Sequence, residues 1–107
     1  LSGGQRQFLA VAMALAVSPN LILMDEPSAG LSPKASQEVL SLARSLTETG
    51  TTILLVEQNV NQALRLADYC YILAEGKNQL DGKAFELLNN SAVADIYLGG
   101  KRLGAGA

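Results

Sequence analysis

At 107 residues the chain has the size of one small domain, long enough to bury a core but too short to build two. Hydrophobic residues at 49% against 17% charged exclude an intrinsically disordered chain; a net charge of -2 and 5% aromatic residues exclude a basic or stacking surface for DNA or RNA. What remains is a globular chain with an aliphatic α/β interior.

The first stretch, "LSGGQRQ", places Ser2 as N-cap and two glycines ahead of a helix with Phe8, Leu9, Ala12 and Leu15 on its apolar side. Free N–H groups, a hydroxyl and the positive helix end suit an anion, and glycines let a phosphate approach the backbone; an ordinary Ser-Gly helix start reads the same way. The run "FLAVAMALAV" inside this helix is far short of the roughly 18 residues a membrane span needs. No signal peptide is recognisable and the first residue is Leu1, so the chain is expected to be a piece of something longer.

"NLILMDEPSAG" opens with an apolar run bounded by Pro19 and Pro27, which predicts a fully buried parallel strand ending in two acids. "LSPKASQEVLSLARSLTETG" predicts an amphipathic helix with Ser32 as N-cap, Pro33 at the first helical position, a stripe of Val39, Leu40, Ala43 and Leu46, and a stop at Gly50. "TTILLVEQ" predicts a second buried strand, and Asn59 with Gln62 a cap for a helix to about Ala67. "YCYILAEGKNQLDG" reads as two short strands joined at Gly76, followed by short helices over "KAFELLNN" and "SAVADIYL". Cys70 is the single cysteine, so no internal disulfide or thiolate pair exists and a reducing compartment is the natural inference. The tail from about residue 99 to 107 is expected to be mobile, and the whole is read as one unit.

Alternating strand and helix imply parallel crossovers, and ligands gather at the carboxyl ends of such strands. Asp25, Glu26, Glu57 and Gln58 all fall there. Asp25 could hold Mg²⁺ through water, and Glu26 could orient or deprotonate an attacking water; equally, both could cap the turn before Pro27. Glu57 reads either as a strand-end acid that positions the loop or as a purely structural group.

"LSGGQ", then "LILMDEP" one helix later, then "SAGLSP", then a strand ending "EQN", resembles the ATPase subunits of ABC transporters in motif, order and spacing. The resemblance runs from Leu1 to about Gly100 and implies an α/β fold, the C-terminal part of a P-loop NTPase ABC ATPase domain: parallel strands with crossover helices, a short hairpin and terminal helices. It implies ATP and Mg²⁺ as cofactors. Ser2, Gly3, Gly4 and Gln5 then match the signature motif, which contacts the γ-phosphate of ATP held mainly by a second ATPase subunit in a head-to-tail dimer. Asp25 matches the magnesium-associated aspartate, Glu26 the catalytic glutamate, and Ser28, Ala29 and Gly30 the loop along the dimer interface. Gln58 falls at the γ-phosphate switch position, commonly histidine; its amide donates a hydrogen bond but takes no proton. Ser32 stands where that interface loop commonly ends in aspartate.

Glutamine at the switch, together with "NQALRLAD", "YILAEGK" and "IYLGG", is similar to one ATPase subunit of branched-chain amino acid uptake systems. That likeness implies permease subunits as partners, a periplasmic substrate-binding protein reached indirectly, and a place at the cytoplasmic face of the inner membrane. Other cargo, such as urea or an exported lipid, stays open. A non-transport ABC ATPase would be expected to add heptads or a basic surface, and a noncatalytic module has no need of the intact Asp25-Glu26 pair. No G-x-x-x-x-G-K-[ST] loop occurs in the 107 residues, so the isolated chain is expected to be inactive, with an uncovered apolar edge or face on its sheet.

Overall fold

The computed structural model describes residues 1–90 and Val93, and among these described residues helix caps and strand runs set out eight elements. The expected helix over "SAVADIYL" and the tail lie outside the described residues, Val93 excepted. The chain divides into two compact units at Gln58/Asn59.

In the first unit, α1 (Gly3–Leu15) starts at Ser2, whose Oγ accepts the Gln5 N–H at 3.1 Å while Gln5 Oε1 accepts the Ser2 N–H at 2.9 Å. This reciprocal capping box satisfies two donors that a helix start would otherwise leave open. The glycines sit inside the first turn, where the sequence reading put them ahead of the helix. The buried stripe also differs: Gly4 and Val11 face inward with Phe8 and Leu15 partly covered, whereas Leu9 and Ala12 are exposed. An alanine-rich helix with apolar residues on several sides leaves tertiary packing to choose among them.

β1 (Leu21–Asp25) pairs in parallel with β2 (Thr52–Val56), in register from Leu21↔Thr52 to Asp25↔Val56. Between them runs α2 (Pro33–Thr47), with Ser32 Oγ accepting the Ala35 N–H and Pro33 in its first turn, as expected. α2 ends through three-residue turns at Glu48, Thr49 and Gly50, and Gly50 takes a φ of 94° that a side chain would resist. Val11, Ile22, Met24 and Ala43 form the core, with Leu15, Leu42, Leu46, Ile53 and Leu55 packed on it.

Both helices thus cover the same face of the strand pair. The pleat sends alternate residues to the other face, where Leu21, Leu23, Leu54 and Val56 are 51, 67, 56 and 52% exposed. The strands are therefore half-buried rather than fully buried, and the uncovered apolar face expected from the sequence is present.

In the second unit, α3 (Val60–Leu66) is capped by Asn59, whose Oδ1 accepts the Gln62 N–H at 3.0 Å. β3 (Tyr69–Ala74) and β4 (Lys77–Lys83) form an antiparallel hairpin, joined by Glu75 and Gly76 at φ 53° and 75°. Two left-handed residues in a two-residue loop are what a tightly twisted hairpin requires. α4 (Ala84–Leu88) follows at once, tied back by the Ala84 N–H donating to the Asp68 carbonyl at 3.0 Å. Leu64, Ile72, Ala84, Leu87 and Val93 make this unit's core. Cys70 packs against it, and burial pushes its thiol up, away from the reactive thiolate. Among the described residues, no helix is long and apolar enough to cross a membrane.

Candidate functional site

The in-register parallel pair brings the ends of β1 and β2 level, with Asp25 opposite Val56. Asp25 is exposed at its strand end, and Glu26, Glu57 and Gln58 follow immediately. The Glu26 N–H donates to the Val56 carbonyl at 2.8 Å, extending the parallel ladder by one rung. The backbone then turns sharply, because Glu26 adopts φ 47°, a left-handed conformation that costs a non-glycine residue on the order of 1–3 kcal/mol. Such a conformation persists only where the surroundings impose it.

The surroundings here are specific. The Ala29 N–H donates to the Glu26 carbonyl at 3.0 Å and the Leu31 N–H to the Ser28 carbonyl at 3.1 Å, so residues 26–31 form consecutive tight turns, with Gly30 at φ 74°. Ser28 Oγ lies 2.8 and 2.7 Å from the two carboxylate oxygens of Glu57 and donates to them. The buried Ser36 hydroxyl, on α2, donates to the Ser28 carbonyl at 3.4 Å. Glu57 therefore belongs to the loop's support, which resolves its two sequence readings towards positioning. Gln58, Ala29 and Gly30 are exposed.

The signature residues meet this loop at its far end. A Cβ on Gly3 would lie 2.7 Å from Leu31 Cδ2, and one on Gly4 would lie 3.3 Å from the Ala35 Cβ. Here the glycines let the start of α1 approach the end of the loop and the first turn of α2; Gly4 is buried, while Ser2, Gly3 and Gln5 are exposed. The structure thus gathers Asp25, Glu26, Ser28, Glu57 and Gln58 at one sheet end, and sets Ser2–Gln5 against Leu31 and Ala35.

Mg²⁺ takes mostly water and phosphate oxygens with one or two carboxylates. Among the described residues no group of three His, Cys, Asp or Glu side chains could hold a metal ion. Asp25, single and exposed, fits a water-mediated contribution to magnesium already bound to phosphates, and no more than that.

Two supporting residues escaped the sequence reading. Ser36 sits on the buried stripe of α2, one turn before Val39 and Leu40, and a polar residue at a core position was the signal. Leu31 lies within the "SAGLSP" stretch of the resemblance, which says nothing of its packing against Gly3.

A family model described as ABC transporter matches residues 1–29. The chain is 46% identical over 100 residues to a high-affinity branched-chain amino acid transport ATP-binding protein of Pseudomonas aeruginosa, covering 94% of this chain and 43% of that one. It is 42% identical over 100 residues to a probable branched-chain amino acid transport ATP-binding protein of Archaeoglobus fulgidus, covering 92% and 42%. A lipopolysaccharide export system ATP-binding protein of Acidithiobacillus ferridurans is 39% identical over 99 residues, covering 92% and 41%. Among solved structures, the ADP conformation of an ATP-binding cassette of an ABC transporter aligns with a TM-score of 0.77 and 30% identity, covering 92% of this chain and 41% of that one. The chain spans about two-fifths of the length of the curated relatives it matches.

Proposed function

We propose that the chain, in sequence and fold part of an ABC transporter ATPase domain, is the C-terminal part of an ATP-hydrolysing subunit that powers import of branched-chain amino acids. The observation that carries the reading is the parallel register that levels Asp25, Glu26, Glu57 and Gln58 at one sheet end. Phosphoryl transfer needs charge neutralisation and an aligned water more than covalent chemistry. Magnesium, bound with ATP, supplies the charge neutralisation on the phosphates.

On this reading Asp25 would help hold magnesium through water, Glu26 would accept a proton from the attacking water, and the Gln58 amide would donate to a γ-phosphate oxygen. Ser2, Gly3, Gly4 and Gln5 contact the γ-phosphate of ATP carried by a second subunit, and Ser28, Ala29 and Gly30 line the interface between the two. Permease subunits dock on the complete protein at the cytoplasmic face of the membrane, and a periplasmic binding protein selects the cargo. The phosphate-cradling loop is absent from these 107 residues, so the isolated chain lacks what it needs to hold ATP.

Relatives named for branched-chain amino acid transport at 46 and 42% identity support the cargo. The lipopolysaccharide-export relative at 39% favours a second reading, an ABC ATPase for other cargo. Uptake of labelled leucine into proteoliposomes holding the complete subunit, its permease and its binding protein separates them. ATP-driven leucine accumulation is expected; transport of another cargo with no branched-chain uptake would overturn the assignment.

A further inference from the structure

We propose that Glu57 is a positioning residue for hydrolysis: its carboxylate grips Ser28 and so holds Glu26 in its left-handed backbone conformation. The inference rests on the reading of Glu26 as the base, and adds to it a residue to which the family resemblance assigns no catalytic or binding role.

The geometry forms a closed circuit. Glu26 is fixed to β2 on one side, where its N–H donates to the Val56 carbonyl at 2.8 Å. On the other side, two residues further along the loop, the Ser28 hydroxyl is fixed to Glu57, the residue that directly follows the last residue of β2, Val56. Between these two attachments the chain must turn within Glu26 and Pro27, and the left-handed φ of 47° at Glu26 accomplishes it. The 3.0 Å bond from the Ala29 N–H to the Glu26 carbonyl closes the turn, and Ser36 steadies Ser28 from α2. If Glu57 lets go of Ser28, one attachment of the strained residue is lost and Glu26 can relax towards ordinary φ values, which re-aims its side chain. Glu57 also directly precedes Gln58, so the same carboxylate joins the loop bearing the proposed base to the strand end bearing the proposed phosphate sensor.

The test uses steady-state kinetics of the complete ATPase subunit. Misplacing a catalytic group lowers kcat more than it changes substrate binding, so Glu57→Ala should lower kcat by about tenfold or more while KM for MgATP stays within about twofold. Glu57→Gln keeps an oxygen that accepts the Ser28 hydroxyl and should recover most of the rate. Ser28→Ala combined with Glu57→Ala should be no slower than the slower single variant, since both delete one bond. Wild-type kcat in Glu57→Ala, no recovery in Glu57→Gln, or multiplying losses in the pair would each overturn the proposal. Glu26→Gln, measured alongside, separates the two levels: continued turnover there overturns the site reading itself, whereas a dead Glu26→Gln with a fully active Glu57→Ala removes only the role of Glu57.

Discussion

At the scale of single residues, Gln58 concentrates the chemical question. It is exposed directly beyond β2, beside Glu57, at the sheet end that also carries Asp25 and Glu26. On the proposed reading its amide donates a hydrogen bond to a phosphate oxygen without a titrating group, so that contribution is independent of pH near neutrality. In the complete subunit, Gln58→Ala should lower kcat by roughly a hundredfold to a thousandfold, in line with the loss of one donor to developing charge. Gln58→His should keep part of the activity and gain a pH dependence near neutrality, because an imidazole changes charge there. A pH–rate profile of the three proteins checks both points, and wild-type rates in the alanine variant would reduce Gln58 to a polar strand end.

At the scale of elements, local signals proved reliable where the physics is local. Ser2, Ser32 with Pro33, and Asn59 each cap the helix the sequence assigns to them, and the two-residue turn falls at Glu75 and Gly76. Caps and tight turns are decided by neighbours within a few residues, so they are legible without the fold. The Ser28–Glu57 tie spans 29 residues and depends on the register of β1 with β2, which no local pattern encodes. The covered face of β1 was illegible for a similar reason, since Leu21, Ile22, Leu23 and Met24 are all apolar and the helices decide which ones are buried. The hairpin offers its own test. Tyr69 donates to Asp81 at 2.6 Å and Asn78 to the same carboxylate at 2.8 Å; these bonds hold Asp81 below its ordinary value, and the bond to Asp81 raises Tyr69 above 10.0. The stabilisation from Asp81 is then present above the ordinary carboxylate range and lost as pH falls through its depressed value. That from Tyr69 is present below 10.0 and lost as pH rises through its raised one. An NMR titration of the Tyr69 ring should show late ionisation that moves back towards the ordinary phenol value in Asp81→Asn; an unmoved transition would contradict the assignment.

At the scale of the whole molecule, the chain levels the acids of the proposed site at one end of an in-register pair of parallel strands. It leaves the opposite sheet face apolar and exposed, at Leu21, Leu23, Leu54 and Val56. A contiguous apolar face of this kind is costly in water and marks a surface made for covering. Motif order and spacing made the fold family and the sheet-end acids legible from the sequence. The support beneath them, Ser36, Leu31 and the left-handed Glu26, emerged only with the three-dimensional register. The central claim is that the end of β1 places the general base of ATP hydrolysis, and the direct test is turnover by the complete subunit with Glu26→Gln, with MgATP binding measured on the same protein. Loss of a general base costs about 10²- to 10⁴-fold, so hydrolysis should fall by that much while binding is retained. Hydrolysis at the wild-type rate in that variant would contradict the account.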